Sequence, residues 1–264
     1  MLHFQENNLT VFQSSLYKTT SAVVQSEEAI IMTDPTWLPG EIEEIQSYIQ
    51  EHLGEKQLYI IYTHSDFDHV IGSGAFQEAT VIASEAFQNN PKKEEVLKEI
   101  NAFDQEYYIE RNYVPHYPTV DKVILEDGEK LELGDITLTF YKAPGHTNDG
   151  LFTVIEPCGI LLSGDYLSDV EFPFITSGYH DYIDTIDKAS LIMQRHDVNI
   201  HVPGHGAVTN QKQEIMDRIN FSKQYLTRLL TDSAELEKEC RNRFRFFEGM
   251  KSSHDENVKK ANSI

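Results

Sequence analysis

The sequence predicts an α/β fold built in layers, with a helical extension at its C-terminus. Three observations carry that prediction. A segment of helical period runs straight into a continuous apolar strand, the βαβ rhythm of a parallel sheet. Later segments alternate strand, turn and strand. Four strands end in short polar loops that carry His or Asp, and the carboxyl ends of strands are where open α/β sheets bind ligands.

Strand-like runs at residues 10–12, 21–25 and 29–33 open the chain as an antiparallel meander, and Asp34-Pro35 punctuates the last of them. Ile42, Ile45, Ile49 and Leu53 then fall at helical spacing over residues 40–53, and residues 58–62 follow as a buried strand. That strand delivers Thr63-His64-Ser65-Asp66-Phe67-Asp68-His69. A strand is expected at residues 80–83 and a polar helix over 91–111, with Pro91 in its first turn. An aromatic-rich segment, 107–117, reads as an insertion near a pocket. Residues 123–125, 130–133 and 136–141 read as hairpin strands around Asp127-Gly128 and Gly134-Asp135. Three further strand ends supply Gly145-His146-Thr147, Gly164-Asp165 and Pro203-Gly204-His205-Gly206. Tyr166, Tyr179 and His180 are placed in a loop after Asp165 and, with His116, are expected to be packed or solvated. Residues 211–251 are charged and helix-prone, and 252–264 are polar and expected to fray. The organisation expected is one domain over residues 1–210 with a helical extension, 211–264, packed on it.

With 264 residues, 40% hydrophobic and 25% charged, the chain can bury a sizeable core. The net charge of −21, from 43 acidic against 22 basic residues, repels a phosphate backbone and argues against a nucleic-acid partner. Clustered carboxylates that bind divalent cations would offset part of it. Cys158 and Cys240 are far apart without CxxC spacing, so free thiols in a reducing compartment are expected. The N-terminus shows no basic stretch followed by an apolar run, and no segment approaches the roughly 20 apolar residues of a membrane span. A soluble cytoplasmic protein is expected.

His64, Asp66, Asp68 and His69 put four nitrogen or oxygen donors within six residues. Each of the other three strand-end loops adds one more: His146, Asp165 and His205. One such residue alone is commonly a turn or cap. Seven at four strand ends point to metal ligation, where imidazole suits zinc, iron and related ions and carboxylate favours harder ones. Asp34 has two readings, a turn residue or an outer-shell partner of a metal-binding histidine.

These motifs resemble the metallo-β-lactamase superfamily, whose pattern is His-x-His-x-Asp-His, then Gly-His-Thr, Ser-Gly-Asp and Pro-Gly-His. The resemblance covers about residues 10–210. It implies a four-layer αββα sandwich with the site at one edge and two divalent metal ions. His64, Asp66 and His146 would hold the first ion, Asp68, His69 and His205 the second, and Asp165 would bridge them. Asp66 stands where the family has its second histidine. The resemblance alone implies zinc; the added carboxylate shifts the expectation toward iron or manganese.

Two adjacent cations can share a water, lower its pKa and present hydroxide to an electrophilic carbonyl or phosphorus centre. The expected activity is therefore hydrolysis of a small-molecule ester, thioester, lactone or phosphoester, with Asp68 also orienting the nucleophile. Two alternatives stay open: a non-haem iron oxidoreductase of the same fold, and a non-catalytic metal-binding protein. The extension over 211–251 would cover the pocket or form a homodimer interface.

Overall fold

The computed structural model describes residues 1–263. The chain begins with an antiparallel meander, β1 (Leu2–Glu6), β2 (Leu9–Gln13), β3 (Thr20–Gln25) and β4 (Ala29–Thr33). Helix α1 (Pro39–Leu53) then crosses to β5 (Gln57–Ile61), which pairs parallel with β4. A single turn, α2 (Phe67–Val70), follows the β5 loop. Next come β6 (Thr80–Ser84), the short α3 (Glu85–Gln88), α4 (Lys93–Glu106) and β7 (Lys122–Ile124). β5, β6 and β7 are parallel, so β1 to β7 form one sheet in sequence order. The second sheet holds β8 (Glu129–Leu133), β9 (Ile136–Lys142), β10 (Leu151–Glu156), β11 (Ile160–Leu162) and β12 (Ile200–Val202). It is antiparallel except for the parallel β11–β12 pair, whose crossover contains α5 (Tyr179–Arg195). Three helices complete the chain: α6 (Lys212–Thr231), α7 (Ser233–Arg243) and α8 (Phe247–Asn262).

The alternation of side chains along each strand sorts the core into three layers of apolar contact. Leu9, Val11, Ala22, Val24 and Ile31 of the first sheet meet Leu138, Phe140, Leu151 and Ile160 of the second. The opposite face of the first sheet, through Val23, Ile30, Met32 and Ile60, packs on Ile42, Ile45 and Ile49 of α1. The outer face of the second sheet, through Phe152, Val154 and Leu161, packs on Ile186 of α5 and Ile215, Ile219 and Tyr225 of α6. The result is the four-layer αββα sandwich that the motifs imply. Strands β4, β10 and β11 are buried on both faces, so they read as near-continuous apolar runs instead of alternating ones.

Several local expectations change. β7 belongs to the first sheet and is not the partner of β8; the hairpin at this point is β8–β9. The helix expected over 91–111 ends at Glu106. Tyr179 and His180 lie on α5 and not in a loop, and Tyr179 is buried with its hydroxyl donating to Leu226 O. Residues 252–262, expected to fray, belong to α8, where His254 and Asn257 are buried and bonded to the Tyr225 hydroxyl. The strands β1 and β10 were not anticipated. Among the described residues, no helix is long and apolar enough to cross a membrane.

Candidate metal centre

The loops after β5, β9, β11 and β12 meet at one edge of the sandwich, where backbone bonds join the two sheets. Leu151 N donates to Thr63 O and Thr20 N to Gly204 O, while Gly204 N donates to Gly164 O between two loops of the second sheet. Close approach here demands glycine: a Cβ on Gly204 would lie 2.3 Å from Asp165 Oδ1, and Gly164, at φ +53°, would meet Thr63 Oγ1 at 2.9 Å.

All seven residues picked from the sequence come together on this edge. His64, Asp66, His146 and Asp165 form one group and Asp68, His69 and His205 a second, each with its donor atoms within 4.8 Å of one another. Asp165 stands between them, with Oδ1 3.0 Å from His69 Nε2 and Oδ2 3.2 Å from His205 Nε2, 3.3 Å from His146 Nε2 and 3.5 Å from His64 Nε2. Asp66 Oδ2 lies 3.2 Å from His146 Nε2. Asp68 Oδ2 lies 3.4 Å from His205 Nε2 and 3.6 Å from His69 Nε2.

Each imidazole is fixed through Nδ1 and turns Nε2 toward the centre, the arrangement that outer partners impose on metal-binding histidines. His146 Nδ1 donates to Phe174 O at 2.8 Å, and His205 Nδ1 to Tyr17 O at 2.9 Å. His69 Nδ1 donates to Asp34 Oδ2 at 3.0 Å, and His64 Nδ1 meets Thr63 Oγ1 at 3.0 Å. Thr63 in turn gives its hydroxyl and its backbone N–H to the Asp34 carboxylate. Of the two readings of Asp34, the geometry matches the outer-shell one: it orients His69 directly and His64 through Thr63.

The donor set fits cations. His64 Nε2 and Asp165 Oδ1 are buried without a hydrogen-bond partner; the His69 contact to Asp165 Oδ1 is close but misaligned. Two such unpartnered atoms amid crowded donors are disposed for a shared positive ion, since unpaired buried polar groups are otherwise costly. The electrostatics agree. Burial opposes charge on His205, yet Asp165 and Glu171 outweigh it and hold its pKa up at about 10. His69 and His146 are likewise raised despite burial, by Asp165 with Asp68 and by Asp165 with Asp66. Burial would raise Asp66, but His146 and His64 bring it down to about 2. Asp165, against burial, is lowered by His205, His69 and His64. The acids therefore hold protons on imidazoles that a metal would need neutral, and metal and proton compete for the same sites.

Other predicted neighbours fall elsewhere. Tyr166 is packed, its hydroxyl accepting from His146 N and bonded to the Ala143 and Pro144 carbonyls. His116 and His180 are exposed, and His116 lines a separate cavity with Tyr62 and Phe76. Sequence reasoning did not single out Thr19 and Trp37. Trp37 Nε1 donates to Thr19 Oγ1 at 2.8 Å, and Thr19 Oγ1 reaches Asp68 Oδ2 at 3.4 Å and His205 Nδ1 at 3.3 Å. No local signal marks either residue, because they reach the site through the β2–β3 and β4–α1 connections. Arg218 of α6 was also unmarked; it is buried and donates to Leu167 O and Ala207 O, in the loops that carry Asp165 and His205.

Comparisons with known proteins identify the fold and the family. Part of the chain is 26% identical over 173 residues to the acyl-coenzyme A thioesterase MBLAC2 of Homo sapiens, covering 59% of this chain and 58% of that protein. The Gallus gallus protein of the same name is 28% identical over 163 residues. The aligned stretch thus spans little more than half the length of these relatives. Among solved structures, a metallo-beta-lactamase family protein from Thermus thermophilus superposes with a TM-score of 0.64 at 18% identity, covering 97% of this chain and 93% of that one. An archaeal superfamily protein from Sulfolobus tokodaii gives 0.61 at 18% identity over 94% of this chain and 100% of its own. Residues 16–205 match the family model described as Metallo-beta-lactamase superfamily, and the chain belongs to that superfamily.

Proposed function

We propose that the protein is a metal-dependent hydrolase that holds two divalent cations and cleaves a small ester, thioester or lactone. His64, Asp66 and His146 would hold one cation, Asp68, His69 and His205 the other, and Asp165 would serve both. The observation that carries this reading is Asp165 itself, with one carboxylate within 3.5 Å of four imidazole Nε2 atoms drawn from both groups. When bound, such cations lower the pKa of water and polarise a scissile oxygen.

The chain's own residues position and move protons. Thr19 holds Asp68 Oδ2, and Asp68 would orient the attacking water. Asp34 and Thr63 keep the imidazoles of His69 and His64 in the tautomers that present Nε2. The relatives' thioesterase name supports a thioester among the substrate classes. The chain's formal charge of −21 disfavours a polyanionic carrier and nucleic acid alike, so the reading is a small substrate.

The test is elemental analysis of protein purified without added metal or chelator, together with turnover of a panel of thioester, lactone and phosphodiester substrates. Near two ions per chain and hydrolysis that a chelator abolishes are expected. A single iron with oxygen consumption and no hydrolysis would replace this reading with the oxidoreductase one.

A further inference from the structure

Trp37 is the chain's one tryptophan, lies in the β4–α1 connection and is fully buried. It belongs to neither donor group, yet it touches the segments that carry the second one. Its ring packs on Tyr17 at 5.7 Å and on Phe67 at 5.3 Å between centroids. Tyr17 O accepts from His205 Nδ1, and Phe67 stands between Asp66 and Asp68. Phe103 of α4 encloses the ring at 4.7 Å. The backbone of Trp37 is held as well. Its carbonyl accepts from Arg111 Nη1 at 2.8 Å. Arg111, whose side chain is 2% exposed, gives Nε and Nη2 to the two oxygens of Asp104 at 2.7 and 2.8 Å. A buried guanidinium forked on a carboxylate is fixed in both direction and distance. The end of α4 and the aromatic-rich segment after it thereby clamp a residue whose indole N–H points at Thr19.

Thr19 is fully buried and bridges to His205 through the backbone. Its hydroxyl has one proton to give and two lone pairs. An indole N–H can only donate, so the 2.8 Å bond from Trp37 Nε1 occupies a lone pair of Thr19 Oγ1. His205 Nδ1, at 3.3 Å, already gives its proton to Tyr17 O. The Thr19 proton is left with two acceptors, Leu16 O and Asp68 Oδ2, each at 3.4 Å. The carboxylate is the stronger acceptor, and site contacts that are long without ligand commonly tighten when one binds. We infer that Trp37 is a positioning residue: its indole N–H turns the Thr19 hydroxyl onto Asp68 Oδ2, the oxygen that faces the His69 and His205 imidazoles. Arg111 and Asp104 keep Trp37 in place. The effect on turnover rests on the hydrolase reading, whereas the line of bonds from Trp37 to Asp68 does not.

One tryptophan gives one indole N–H resonance in the nitrogen-15 spectrum of the metal-free protein. Thr19→Val and Asp68→Asn should each displace it, and a resonance that Asp68→Asn leaves in place overturns the inference. On the metal-loaded protein, Trp37→Phe keeps an aromatic ring and removes only the donor. It should weaken one of the two bound ions about tenfold in a chelator competition and lower kcat about tenfold with KM unchanged. Combining it with Thr19→Val should cost no more than either change alone, because both break the same line of bonds. Thr19→Ser, which keeps the hydroxyl, should restore most of the loss and keeps the test open if Trp37→Phe does not fold. Equal weakening of both ions, or a change in KM alone, would make Trp37 a packing residue and overturn the inference. One ion weakened as expected in a protein that hydrolyses nothing supports the positioning role and sinks only the hydrolase reading.

Discussion

Asp165 concentrates the chemistry of the site in one side chain. Because its two oxygens address imidazoles of both groups, Asp165→Ala should cut turnover at least a thousandfold and lower the metal content. Full activity in that variant would refute the shared role. On the proposed reading, Asp66 would bias the choice of metal. Its Oδ2 faces His146 Nε2 and adds a negative charge where the superfamily pattern has a neutral imidazole, which favours harder ions over zinc. Asp66→His should therefore raise the zinc-to-manganese affinity ratio at least tenfold, read by competition titration, and an unchanged ratio would remove Asp66 from the ligand set. The gathering of these residues was legible in the sequence because strand-end loops write their nitrogen and oxygen donors in compact motifs. Thr19, Trp37 and Arg218 were not, since their relation to the site exists only after distant connections meet.

At the scale of elements, the helical extension braces the site. Arg218 on α6 is buried and tied to Leu167 O and Ala207 O. Its removal leaves those carbonyls without their donor, so Arg218→Met should cost about 1–3 kcal/mol in denaturant unfolding and weaken metal binding. A loss of stability with metal affinity unchanged would show that the brace is only structural. Shortening the chain to residues 1–210 would expose Phe172, which packs against Tyr225, Phe244 and Phe247 of the C-terminal segment, and near-ultraviolet circular dichroism should then lose its native signal. Strands β2 to β6 of the first sheet were readable from short apolar runs between turn signals, whereas β1 was missed and β7 was given the wrong partner. β10 and α5 were not readable. Residues 151–156 are buried on both faces and lack alternation, while α5 begins directly after a glycine, without a side-chain cap to announce it. The polar composition of 252–262 suggested fraying, yet tertiary contacts through His254 and Asn257 override it.

For the molecule as a whole, pH and metal set stability together. His201 is fully buried against Ser163 and Arg218, and burial, then the Arg218 charge, push its pKa well below 6.5. The unfolded chain therefore binds a proton near pH 6.5 that the folded chain refuses. The stability that neutral His201 contributes is complete above pH 6.5 and is lost as pH falls below it, by up to about 1.4 kcal/mol per pH unit. Thermal unfolding from pH 7.5 to 5 should show this fall, and His201→Asn should flatten it; an equal slope in both would assign the acid limb to other groups. The joining of the two sheets at the metal-binding edge has a further outcome for assembly. The β5 loop brings His64, Asp66, Asp68 and His69, while the second sheet brings His146, Asp165 and His205. Neither half alone supplies a whole donor group, so on the proposed metal reading tight affinity would arise only once the halves have docked, and a captured ion would then act as a rivet across the gap. Amides at the rivet, Leu151, Thr20 and Gly204, should exchange their hydrogens far more slowly when it is in place, while those of the outer helices α7 and α8 keep their own pace.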